Sequence, residues 1–139
     1  MTRVEVAAGL IRDARGRYLL TRRPAGTHLA GSWEFPGGKR ESGESLEECL
    51  RRELVEELGA TFRVGVLVET VEWTYDATTI VLSFFRCTLQ AGSIRPLTAE
   101  TLAWVAPEDF GAYEFPPADH ALIERLRTQP LDGMTVADH

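Results

Sequence analysis

Apolar and polar positions alternate from the start of the chain. Val4, Val6, Ala8 and Leu10 share one face of an extended segment, which is the period-two signature of a strand. Asp13-Ala14-Arg15-Gly16 reads as a turn, and Tyr18-Leu19-Leu20-Thr21 resumes a strand that Arg22 and Arg23 close. Residues 24–32 form a loop punctuated by Pro24, Gly26 and Gly31. Trp33 and Phe35 alternate around Glu34, as in a short strand entering a glycine loop at Gly37-Gly38. The period then changes to that of a helix. Ser45 with Glu48 three residues on is a capping box, so the helix begins near Leu46, and Gly59 suits the left-handed residue that ends it.

Beyond the helix, Phe62, Val64, Val66 and Val68 alternate, and Val71, Trp73 and Tyr75 continue out of phase. That predicts a bulge near Glu69-Thr70 or two short strands. Asp76-Ala77-Thr78 turns the chain, and residues 79–89 are almost continuously apolar and β-prone, as a central strand should be. A loop over 92–100 leads to a last strand at 102–105. Pro107 starts a short helix. Phe115-Pro116-Pro117-Ala118 is a rigid loop, and Asp119 is placed to cap a final helix to about Arg127, with Leu122, Ile123 and Leu126 on its core side. Residues from about 129 to 139 carry little pattern and read as a frayed tail. The order β-β-α-β-β-β-α predicts a single α+β domain over 1–139, an α/β/α sandwich around a mixed β-sheet.

The first helix carries the chemistry. At about 100° per residue, with Glu53 at zero, Glu57 falls near +40° and Glu56 near −60°. Leu46, Cys49 and Leu50 occupy the same arc, so a face that begins apolar ends in three carboxylates. A solvated face has no reason to carry those apolar residues, and an ordinary core face does not carry three acids, because burying each unpaired ion costs roughly several kcal/mol. A hard cation resolves the conflict. Mg2+ takes carboxylate oxygens and shares its shell with substrate phosphates. Arg52, beside Glu53 and one turn before Glu56, is placed to orient the acids.

Charge narrows the partners. With 15 basic and 21 acidic residues the net charge is −6, opposite to that of a general nucleic-acid binder, so no polymeric nucleic acid is expected. A nucleotide remains compatible, because a metal supplies local positive charge. The two cysteines, Cys49 and Cys87, have no metal-ligand spacing and read as small core residues. No apolar run approaches a membrane span and no signal-peptide pattern is present, so the expected setting is the cytoplasm, as a monomer or homodimer.

Gly38, five residues, Glu44, seven residues, then Arg52-Glu53-Leu54-Val55-Glu56-Glu57-Leu58-Gly59 resembles the complete Nudix box. Ala60 departs from it, standing where a larger aliphatic residue is usual. Thr21-Arg22-Arg23-Pro24, Trp33 through Lys39, and Phe115-Pro116-Pro117-Ala118-Asp119 are similar to the MutT branch of that family, and the likeness extends to about Arg127. The resemblance implies the Nudix fold and hydrolysis of a nucleoside triphosphate to monophosphate and pyrophosphate with Mg2+, or alternatively Mn2+. It implies metal and catalytic roles for Glu53, Glu56 and Glu57, a metal-ligating carbonyl at Gly37, and support of the loop and helix by Glu44 and Arg52. Arg23, Phe35, Gly38, Lys39 and Asp119 are the implied substrate-binding residues, and Tyr75, at a strand end beside a turn, is a second stacking candidate on its position alone. The plainer reading of Phe35 and Tyr75 is packing, and of His28 in the 24–32 loop, solvation. Where the branch usually offers a loop glutamate six residues before the tryptophan matching Trp104, this chain has Thr98, and Glu100 is the nearest acid: either it replaces the missing metal ligand or the site manages with fewer carboxylates. The implied substrate is 8-oxo-dGTP. The alternative is CTP or a modified dCTP, and a more remote one is a nucleotide-binding module without activity.

Overall fold

The computed structural model describes residues 2–129. The tail expected over 129–139 lies, from 130 onward, outside the described residues. The described residues form seven strands and two α-helices: β1 (Thr2–Ile11), β2 (Tyr18–Arg22), β3 (Trp33–Glu34), β4 (Gly37–Lys39), α1 (Leu46–Leu58), β5 (Thr61–Tyr75), β6 (Thr78–Ala91), β7 (Thr101–Val105) and α2 (His120–Thr128). Short 3-10 helices at Pro107–Ala112 and Pro117–Asp119 lead into α2. A four-stranded mixed sheet runs β4-β1-β6-β5, with β1 and β6 parallel and the outer pairs antiparallel. A second, antiparallel sheet runs β3-β2-β7. The α+β fold around a mixed sheet expected from the sequence is present, with a second, three-stranded sheet beside the first.

β1 explains how two cores fit around one sheet. Ala7 and Ile11 face α1 and pack with Cys49, Leu50, Leu54, Leu58, Phe62 and Phe85. Ala8 and Leu10 point the other way, toward Tyr18, Phe84, Phe110 and the α2 residues Leu122, Ile123 and Leu126. Alternation sends successive side chains to opposite faces. Both faces of this strand are covered, so it is buried throughout its second half rather than on one face only.

Helix α1 forms as its sequence dictates. Ser45 accepts from the Glu48 amide, Glu48 accepts from the Ser45 amide, and Gly59 closes the helix at φ 69°. The loop after β6 then ties down its end, as the amides of Arg95 and Leu97 donate to the carbonyls of Leu58 and Glu57. Both cysteines are buried, and burial pushes the Cys49 thiol up to about 11 and the Cys87 thiol up to about 12, which leaves them as core residues.

The register of β5 shifts at Thr61/Phe62, Val64/Leu67 and Leu67/Glu69, the last beside the bulge expected near Glu69-Thr70, and the strand stays continuous to Tyr75. Two local expectations are corrected. The glycine loop is itself a strand, in which Gly37 and Gly38 pair with Ala8 and Ala7. Here glycine serves close approach. A side chain at 37 would overlap the Ala7 carbonyl, and one at 38 would overlap the Glu53 carboxylate. Because backbone cannot move aside as a flexible side chain does, Gly37→Ala is expected to destabilise the fold by about 3 kcal/mol or more. Urea denaturation checks this, and a wild-type midpoint would contradict it. Finally, Asp119 adopts φ −91°, ψ −10° and makes no capping hydrogen bond to α2, so it is not a helix cap.

Candidate functional site

The box residues meet at Arg52. Its Nη2 and Nε donate to both oxygens of Glu44 at 2.7 and 3.1 Å, and Nη1 reaches Glu53 at 2.9 Å and Glu56 at 3.3 Å. Nη2 also bonds the Lys39 carbonyl at 3.1 Å, so one guanidinium joins α1 to β4. This arginine, with the Glu41 amide, draws the Glu44 carboxyl down to about 2. The helix acids differ in surroundings. Glu56 is exposed, whereas burial raises the Glu53 carboxyl above its ordinary value. Burial, with the nearby charges of Glu34 and Glu53, pushes Glu57 up to about 8, although its Oε2 accepts from the Gly37 amide at 3.0 Å. All three acids line a cleft of about 350 Å³ together with Arg22, Arg23 and Thr98.

Oxygen donors crowded until they resist ionisation fit a hard divalent cation, which relieves their mutual repulsion. Among the described residues no group of three or more His, Cys, Asp or Glu side chains is placed to hold a metal ion as it stands. The residues that would hold the ion are Glu53, Glu56 and Glu57, with the Gly37 carbonyl from the adjoining strand. Glu100 meets Arg22, a residue of the cleft lining, at 3.1 Å, while Thr98 and Ala99 line the cleft themselves.

A second cavity, of about 340 Å³, adjoins the first. Such volumes lie in the range of small-molecule sites. Val6, Ile80, Leu82 and Phe84 supply apolar wall, Gly38 and Lys39 edge it from β4, and Tyr75 and His28 lie along its lining. Phe35 lines it too, but at 4% exposure it belongs to an aromatic cluster with Tyr18, Phe84, Phe110 and Phe115. Tyr75 is 38% exposed and stacks on His28 with rings 5.7 Å apart and 9° from parallel. His28 is exposed, as read from the sequence, and also lies on the cavity lining.

Asp119 is also in this lining, 4% exposed. Burial, with the charge of Glu34 added, pushes its carboxyl from 3.8 up to about 7. The folded protein therefore holds that proton more tightly than the unfolded chain. Its contribution to stability is fully present below about 4, is lost as pH rises to about 7, and is level beyond. Asp119→Asn removes this contribution and leaves those of the other shifted carboxyls. The variant should be the more stable protein at pH 8, by on the order of a few kcal/mol, and gain little at pH 5. Urea unfolding at both values tests this; a loss of about 1 kcal/mol at both is what removal of a cap gives instead.

Glu34 is the residue that sequence reasoning missed. It lines both cavities, accepts from Arg23 Nη1 at 3.2 and 3.3 Å, and is itself raised by burial. Arg23 also donates to the His28 carbonyl at 2.6 Å, holding the 24–32 loop against β3. The available signal was an acid between Trp33 and Phe35 in a strand.

Fold and site together define a two-sheet α+β domain in which a helix-borne acid cleft opens beside an aromatic cavity. A model of the NUDIX domain matches residues 7–125, and the chain belongs to the Nudix hydrolase family. It is 39% identical over 125 residues to the 8-oxo-dGTP diphosphatase of Haemophilus influenzae, spanning 88% of this chain and 90% of that one. It is 37% identical over 124 residues to the CTP pyrophosphohydrolase of Escherichia coli, spanning 89% and 91%. The crystal structure of the MutT protein from Methanosarcina mazei superposes with a TM-score of 0.80 at 28% identity, covering 91% of this chain and 94% of that one. No helix among the described residues is long and apolar enough to cross a membrane.

Proposed function

We propose that this enzyme hydrolyses a nucleoside triphosphate to the monophosphate and pyrophosphate with Mg2+, and that 8-oxo-dGTP is its principal substrate. The observation that carries the reading is the junction at Glu34, where the acid cleft meets an aromatic cavity containing a buried carboxyl. A phosphate chain and a base, joined through a sugar, match those two compartments in order. The named activities of the two relatives, on 8-oxo-dGTP and on CTP, support the nucleotide pyrophosphohydrolase class.

When bound, the cation neutralises charge on the phosphate oxygens and orients the attacking water. Mn2+ is an alternative with the same donor preference. Glu53 accepts the water's proton, and Arg52 fixes the carboxylates of Glu53 and Glu56 in direction. Glu57, tied to the Gly37 amide, keeps helix and strand in register around the reacting phosphate. Glu44 holds Arg52 from the other side. Arg23, steadied by Glu34, contacts the nucleotide, with Gly38 and Lys39 beside the phosphates and Tyr75 stacking on the base. Phe35 supports the cavity from behind.

Asp119 reads the base. A carboxyl raised to about 7 is present in both forms at neutral pH, and its protonated form donates as well as accepts. That suits 8-oxoguanine, whose edge offers N–H donors next to carbonyl acceptors. The ionised form accepts only and suits the cytosine 4-amino group, which keeps CTP or a modified dCTP as the second reading. Incubating the protein with 8-oxo-dGTP and Mg2+ tests the proposal. Equimolar 8-oxo-dGMP and pyrophosphate are expected. Release of orthophosphate contradicts the bond assignment, and nucleotide recovered bound and intact would make the protein a binding module.

A further inference from the structure

Arg22 has no part in the roles above, yet it and Arg23 are the two basic residues lining the acid cleft. Arg23 is turned inward, committed to Glu34 and to the His28 carbonyl. Arg22 is held otherwise. Its Nη1 meets Glu100 at 3.1 Å and its Nε donates to the Gly31 carbonyl at 3.3 Å. The Arg22 and Glu100 side chains are 42% and 45% exposed. The Glu100 amide also donates to the Arg22 carbonyl at 3.1 Å, so β2 and the loop before β7 keep the two residues adjacent whatever their side chains do.

An ion pair this exposed contributes little. A phosphate oxygen, more highly charged than a carboxylate and matched to the guanidinium fork, displaces Glu100 at small cost. The cleft gives a reason for such an exchange. It already carries Glu34, Glu53, Glu56 and Glu57, and a phosphate chain entering it needs positive charge at its far end as well as at the helix acids. We infer that Arg22 binds the pyrophosphate end of the substrate and that Glu100 is its displaceable counter-ion, not a metal ligand. The inference rests on the reading of the cleft as the phosphate compartment.

Calorimetric titration with pyrophosphate in saturating Mg2+ tests this without turnover, alongside 8-oxo-dGMP or CMP, whichever the wild type binds. Arg22→Gln should weaken pyrophosphate binding roughly tenfold to a hundredfold, as loss of a charge-assisted hydrogen bond does, and leave the monophosphate within about twofold. Glu100→Gln should tighten pyrophosphate by up to about fivefold and leave the Mg2+ requirement unchanged. Unchanged pyrophosphate affinity in Arg22→Gln overturns the inference. So do equal losses for both ligands, which mark Arg22 as a loop anchor through Gly31. A raised Mg2+ requirement in Glu100→Gln returns that residue to the metal. If the pyrophosphate pattern holds but no nucleoside triphosphate is cleaved, the proposed function fails and the pyrophosphate site stands.

Discussion

Glu53→Gln is expected to lower kcat by roughly 10²–10⁴-fold, the range for a positioned general base, with the folded protein intact. The glutamine has the same shape and still accepts from Arg52 Nη1, which lies 2.9 Å from the glutamate. It also fits the space beneath Gly38, where the existing carboxylate already stands closer than a side chain at 38 would allow. What it lacks is the basic oxygen and the charge. Burial makes that oxygen a better proton acceptor than an exposed glutamate would supply, because the charged form is poorly solvated. Glu56→Gln and Glu57→Gln should behave differently, needing more Mg2+ for half-maximal rate while retaining turnover at saturation. If Glu53→Gln keeps near-wild-type kcat in saturating Mg2+, the proton goes elsewhere. If all three share one metal titration curve with wild type, the helix acids do not hold the ion.

Asp119→Asn should reorder substrates. The amide donates and accepts at every pH, whereas the acid does both only while protonated. In the variant, relative kcat/KM for 8-oxo-dGTP over CTP and dCTP is therefore expected to stay level with pH and to exceed the wild-type ratio above about 7, by up to ~10²-fold if a buried hydrogen bond changes partner. In wild type the same ratio should fall over that range as Asp119 ionises. An equal loss for every nucleotide would show that the residue does not read the base.

Local signals in the chain predicted α1 well. A reciprocal cap at Ser45 and a glycine at 59 act within a few residues of the bonds they make, so both helix ends were legible. The clustering of Glu44, Arg52, Glu53 and Glu56 followed from helical period and box spacing. Long-range partners were not legible. Gly37 and Gly38 looked like a loop because their reason for being glycine is the β1 backbone and Glu53, distant in sequence. Asp119 sits before a helix and has a capping side chain by type, but the 3-10 turn at Pro117–Asp119 sets a helical backbone there already. Glu34 and His28 acquire their positions from Arg23 and Tyr75, contacts that no periodicity encodes. Glu100 was nearest in sequence to the missing loop glutamate, and the strand pairing of Arg22 with Thr101 that sets it beside an arginine was not legible.

The most direct measurement is kcat/KM for 8-oxo-dGTP, dGTP, CTP and dCTP with wild-type protein in saturating Mg2+, with products identified. The two-compartment site predicts cleavage to monophosphate and pyrophosphate, with 8-oxo-dGTP preferred over dGTP and over both cytosine nucleotides. Preference for CTP or dCTP would contradict the base assignment, and no pyrophosphate from any of the four would contradict the function.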